Sequence, residues 1–186
     1  MIIQETELAG LYTITLEKLE DARGFFAELY HRDKFAAQGV PVAFVQENIS
    51  FSRKGVLRGL HFQYDLPLGK LVRINHGKAF IVGVDIRKNS PTRGKWLGME
   101  LSRDNRLQAY LSPGFAFGLC ALEDGTELNY HFTVPWNGKG ESSIVWNDKD
   151  LAVSWPLDDP ILSERDRNAQ TFAEWLARPE SDILTS

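Results

Sequence analysis

Gly55-Val56-Leu57-Arg58-Gly59-Leu60-His61-Phe62-Gln63 carries the pattern from which the fold can be read. Residues of an extended strand point alternately to its two faces, so this stretch places Leu57, Gly59, His61 and Gln63 on one face and Arg58 on the other. The flanking sequence reads the same way. Short alternating or wholly apolar runs rich in Val, Ile, Phe and Tyr, broken by Gly, Pro, Asn or Asp, predict strands over 11–16, 25–30, 43–52, 56–62, 71–75, 79–86, 96–101, 107–111, 118–122 and 127–133. Strands at this spacing imply an all-β sandwich or a barrel closed on itself. Helical pattern is confined to 32–38 and to 163–176, where Ser163 is placed as the N-cap, so the helices are expected at the periphery.

The chain has 186 residues, which fits one domain over 1–186, and no repeat, low-complexity stretch or Pro/Gly/Ser-rich linker divides it. Apolar residues make up 43% and charged residues 25%, which excludes disordered and collagen-like classes. The formal charge of -4 gives no general attraction to nucleic acid or to an anionic membrane, so neither is expected as a partner. An anionic ligand must therefore be held by cations that converge locally. A single cysteine, Cys120, rules out an intrachain disulfide and a thiolate zinc cluster. With no basic leader, and with no apolar run approaching the length of a membrane span, the expected location is the cytoplasm.

The residues that can carry chemistry each have two readings. His61 beside Gly59 is a candidate pocket residue, because glycine leaves room for a ligand; it is equally a core histidine satisfied by a neighbour. No His-x-His pattern exists and His76 falls in a predicted turn, Asn75-His76-Gly77, so no metal is expected. Arg23-Gly24 and Arg58-Gly59 repeat a dipeptide suited to clamping a diphosphate, although a strand arginine is commonly a solvated one. Tyr130 is either an acid or a packing element, and Trp136 either stacks on a base or covers the core. The carboxylates of Glu164 and Asp166 suit a helix N-terminus.

Taken together, the segments resemble the dTDP-4-dehydrorhamnose 3,5-epimerase family, cupin-type β-barrel enzymes acting on nucleotide-linked 4-keto sugars. The resemblance runs through Asp21-x-Arg23-Gly24-x-Phe26 with Glu28, Gln46-x-Asn48-x-Ser50, residues 56–63, Lys70-Leu71-Val72-Arg73, Val84-Asp85-Ile86-Arg87 with Ser90-Pro91-Thr92, Pro113-Gly114-Phe115-Ala116, Trp146-Asn147-Asp148, Trp155-Pro156 and Leu162-Ser163-x-x-Asp166. It implies a cupin-type antiparallel jelly-roll barrel, a homodimer, no cofactor, and a nucleotide-diphosphate keto sugar as substrate. By position it makes His61 the base, oriented by Asp166; Tyr130 the acid on the opposite sugar face; and Lys70 the group that stabilises the enolate. Arg23, Gln46, Asn48 and Arg58 would hold the nucleotide diphosphate, with Phe26, Glu28, Trp136 and Glu141 as further substrate contacts.

The expected reaction is epimerisation at C3 and C5 of dTDP-4-dehydro-6-deoxy-D-glucose. Its rivals are inversion of one centre or of another nucleotide-linked keto sugar, and a barrel that binds without catalysing. Two positions depart from the family. Its usual Gly-Phe-Ala-His-Gly is Gly114-Phe115-Ala116-Phe117-Gly118 here, and the Asp of Phe-Asp-Val is Ile81. A paired His and Asp lost together would leave no buried group unpaired, so the two changes are expected to be coupled. After Tyr130, Val134-Pro135-Trp136 stands where the family has aromatics near the base.

Overall fold

A computed structural model describes residues 1–40 and 43–185. Thirteen strands, three short α-helices and a 3₁₀ helix over Pro179–Ile183 are assigned among them. The strands are β1 (Ile2–Glu5), β2 (Leu11–Thr15), β3 (Leu19–Asp21), β4 (Gly24–Phe26), β5 (Gln46–Ser52), β6 (Leu57–Gln63), β7 (Lys70–His76), β8 (Lys78–Asp85), β9 (Trp96–Ser102), β10 (Leu107–Leu111), β11 (Phe115–Ala121), β12 (Thr126–Phe132) and β13 (Glu141–Ser143). The α-helices are α1 (Arg32–Ala37), α2 (Glu164–Arg167) and α3 (Phe172–Ala177).

Two antiparallel sheets face each other. One runs β1-β2-β10-β7-β12-β5 and the other β13-β6-β11-β8-β9; a separate hairpin pairs β3 with β4. Both sheets turn apolar side chains inward, among them Leu11, Val72 and Leu128 from the first and Ile81, Phe117 and Leu119 from the second. The outer face of the first sheet is covered by α1, through Phe35 against Ile14, Leu71 and Tyr110. The outer face of the second is covered by the C-terminal segment, with Trp175 and Phe172 against Leu60, Phe62 and Val84. This is the expected all-β cupin-type architecture with small peripheral helices.

Several local expectations are corrected. The predicted strand over 25–30 is the β3–β4 hairpin, which ends at Phe26. Its turn is built by the Asp21 carboxylate, which accepts from the Arg23 backbone N–H at 2.8 Å, and by Gly24 at φ +125°. The strand expected over 43–52 begins at Gln46, and that over 118–122 begins earlier, at Phe115. The expected helix over 163–176 is two helices, because Gln170 leaves helical geometry to bridge Ile144. Ser163 caps the first, accepting from the Asp166 N–H at 3.1 Å. Thr171 and Glu174 form a capping box on the second.

Strict alternation along β6 also fails. Phe117 pairs with His61 but Leu119 pairs with Arg58, so between these pairs one residue of β11, Gly118, faces two of β6, Gly59 and Leu60. This bulge turns Arg58 and His61 toward one cavity instead of onto opposite faces. Nor does Gly59 make room for a ligand. Its φ is +123°, and a Cβ there would lie 2.6 Å from the Phe117 carbonyl oxygen, so close approach of the neighbouring backbone demands the glycine.

Candidate active site

The facing sheets enclose a cavity of about 400 Å³ lined by Gln46, Asn48, Ser50, Arg58, His61, Lys70, Phe117, Tyr130, Phe132, Trp136 and Glu141. His61 comes from β6 in one sheet, and Tyr130 and Lys70 come from β12 and β7 in the other. Imidazole and phenol therefore stand on walls supplied by different sheets.

His61 Nε2 lies 2.5 Å from Asp166 Oδ1. The carboxylate arrives from a segment 105 positions later in the chain, pinned on both sides of α2: Val56 bridges Ile161 and Ile144 bridges Gln170. Burial pushes the Asp166 carboxyl upward, but the hydrogen bond and charge of His61, the Ser163 hydroxyl and Arg165 together hold it below the ordinary carboxylate value. Asp166 is thus an anion that fixes the ring through Nε2, and Nδ1 has no hydrogen bond among the described residues.

Tyr130 Oη lies 3.0 Å from Ser50 Oγ. Burial raises the phenol above its ordinary value, partly offset by Ser50 and the charge of Arg58, so it is protonated at neutral pH. Lys70 donates to the His61 carbonyl oxygen at 3.2 Å. Burial pulls its ammonium down to about 8; Glu141 opposes this shift and Arg165 adds to it. Arg58 is tied to Ser52 Oγ at 3.1 Å and to the Phe51 carbonyl at 3.0 Å, leaving its charge at the cavity wall. Gln46 accepts from the Trp136 backbone N–H at 2.8 Å and donates to Asn48 Oδ1 at 3.0 Å, so the half-exposed Trp136 stands at the rim. Asn48 Nδ2 is a buried donor with no hydrogen-bond partner among the described residues, a group that a ligand could satisfy.

Of the residues expected in the site, Gln46, Asn48, Arg58, His61, Lys70, Tyr130, Trp136 and Glu141 line the cavity, and Asp166 backs it. Arg23, Phe26 and Glu28 do not. Arg23 and Phe26 border a separate cleft on the β3–β4 hairpin, where Arg23 pairs with Asp21, and Glu28 pairs with Lys34 at 2.7 Å. Three lining residues, Ser50, Phe117 and Phe132, stand outside the expected set. Ser50 follows Gln46 and Asn48 at period two, a signal that could have placed it; Phe117 and Phe132 are indistinguishable in sequence from core aromatics. Phe117 and Ile81 lie diagonally across β11 and β8, whose register pairs Phe117 with Gly83 and Leu119 with Ile81. Both belong to the inner core. Among the described residues no three His, Cys, Asp or Glu side chains gather as a metal site.

The fold and site define a cupin-type barrel with a histidine and a tyrosine on facing walls of one cavity. The family model for dTDP-4-dehydrorhamnose 3,5-epimerase matches residues 5–174, and the chain belongs to that family. A protein of that name from Methanothermobacter thermautotrophicus is 45% identical over 91% of this chain and 94% of its own length. The solved rmlC epimerase of Mycobacterium tuberculosis superposes with a TM-score of 0.93 at 37% identity, covering 100% of this chain and 94% of that one. A Streptomyces niveus protein named dTDP-4-dehydrorhamnose 3-epimerase is 40% identical over 94% of this chain and 85% of its own length. No helix among the described residues is long and apolar enough to cross a membrane.

Proposed function

We propose that this chain inverts C3 and C5 of dTDP-4-dehydro-6-deoxy-D-glucose through enolate intermediates. A C–H beside a ketone becomes acidic only if the charge developing on the ketone oxygen is stabilised. The buried Lys70 ammonium supplies that stabilisation in a site of low polarity. His61 Nδ1 removes the proton, and the imidazolium formed is stabilised by Asp166. Tyr130 delivers a proton from the other wall, leaving a phenolate beside Ser50 and Arg58. Exchange with solvent resets both groups before the second centre reacts. The net change moves no electrons, so the chemistry calls for no redox cofactor.

The placement of His61 and Tyr130 on facing sheets of one cavity is what carries this reading. A single base would mostly return its proton to the face it came from. Incubation with the dTDP-keto sugar and a downstream reductase should yield dTDP-rhamnose, and His61→Ala should lower turnover by about 10²–10⁴. Full activity in that variant would remove the assigned base. The 3-epimerase name of the Streptomyces niveus relative keeps a one-centre reading in view. Proton NMR in deuterated water separates the two, since label at both C3 and C5 with inversion at each belongs to the double reaction alone.

The proposed assembly is a homodimer. Leu19 and Phe26, each 70% exposed, make an apolar tip on the hairpin, and β5 at the edge of its sheet exposes Ile49 and Phe51. If Arg23, Phe26 and Glu28 hold substrate, they do so in the cavity of a second copy, because they lie outside their own. The proposed setting is the cytoplasm, which suits a chain whose single cysteine is buried and unpaired.

A further inference from the structure

Phe117 touches the whole reacting set without belonging to it. It is 3% exposed, it is the cross-strand partner of His61, and its ring stands edge-on to Tyr130 with centroids 5.9 Å apart at 80°. The Lys70 Nζ lies 5.5 Å from the centre of the same ring. Lys70 has no ion-pair partner among the described residues; its one hydrogen bond goes to the His61 carbonyl. The charged and titratable groups around it are His61 and Arg58 from β6, Tyr130 from β12, Glu141 from β13 and Arg165 from α2. The one acid among these that lines the cavity, Glu141, is engaged by Arg165 at 2.7 Å.

A carboxylate beside Lys70 would hold its proton firmly but would also neutralise the field that the enolate needs. An aromatic face attracts the ammonium without cancelling its charge. We infer that Phe117 is a positioning residue: its ring holds the Lys70 ammonium in the cavity without a counter-ion and fixes the Tyr130 ring on the wall facing His61. This rests on the role proposed above for Lys70.

The test reads Lys70 directly, by NMR titration of protein carrying ¹³C at the lysine ε-carbon, with no substrate present. In the unaltered protein the midpoint should fall at about 8. Phe117→Leu and Phe117→Met, which remove the ring, should lower it by about 0.5–1.5 units, and Phe117→Tyr, which keeps the ring, should not. In turnover assays the ringless variants should lose roughly tenfold in kcat with KM little changed, and the alkaline limb of their pH profile should move down with the NMR midpoint. Ringless variants that titrate like the parent overturn the inference, as does a tyrosine variant that shifts as far as leucine. Because the titration needs no substrate, its failure is distinct from failure of the proposed reaction, which the His61→Ala assay reads.

Discussion

Two buried carboxylates, Asp85 and Asp166, are matched in burial and opposite in surroundings. Asp85 is wholly buried and accepts from Arg87 Nε at 2.9 Å and Nη2 at 2.7 Å, the Arg87 N–H at 3.1 Å, Ser90 Oγ at 2.5 Å and Thr92 Oγ1 at 2.6 Å. Every lone pair is engaged by a group that does not titrate near neutrality. Asp166, 3% exposed, gives one oxygen to a histidine that opens onto a cavity. Burial pushes both acids upward, and in each the partners win and hold the carboxyl below its ordinary value. Depressed acidity therefore does not separate structure from chemistry. What separates them is whether the partner can change its own proton and meet a ligand.

The sharpest way to break this contrast is to neutralise each acid in turn. Asp166→Asn should cost about 10²–10⁴ in turnover and little in thermal midpoint, because the amide still fits but no longer stabilises the imidazolium. Near-parental turnover would assign Asp166 to structure. Asp85→Asn should do the reverse. It leaves the Arg87 guanidinium uncompensated at 12% exposure, and urea unfolding should show a loss of roughly 3–5 kcal/mol while the folded fraction keeps its kcat.

Stability against pH sharpens the comparison through Lys70. Its folded value of about 8 lies below the ordinary 10.5, so between these values the unfolded chain binds more protons and stability rises with pH. Lys70→Met should flatten that rise, and an unchanged slope would argue against a desolvated ammonium. The carboxyls act at the other end. With folded values below 3.8, Asp85 and Asp166 stabilise the protein above that pH, and their contribution disappears as the pH falls through the folded values. The smallest effect concerns the apolar pair. Phe117→His or Ile81→Asp alone should cost about 1–3 kcal/mol by burying an unpaired polar group, and the double variant should cost less than the sum. Strict additivity in denaturation would show that the two positions are not coupled.

The sequence was legible where one force acted alone. β10 has the bounds that alternation predicts, since Leu107–Leu111 is held by inward packing between two neighbours. β13 was invisible because Glu141-Ser142-Ser143 has no apolar rhythm and is a strand only by virtue of pairing with β6. Arg58 was assigned to the wrong face because the β6 bulge depends on β11, some sixty residues away in the chain. His61, Arg58, Tyr130 and Trp136 are candidates from the residues alone, but only the resemblance gathers them into one site. No local period links His61 to Asp166, and Phe117 acquires its place from Lys70 and Tyr130 on the opposite sheet.

The bridges at Ile161 and Gln170 tie the segment that carries Asp166 to residues beside β6 and β13. Because that segment belongs to neither sheet, local fraying there would draw the carboxylate away from His61 while both sheets stay formed, so the cavity feels the loosening of a peripheral tether before the barrel does.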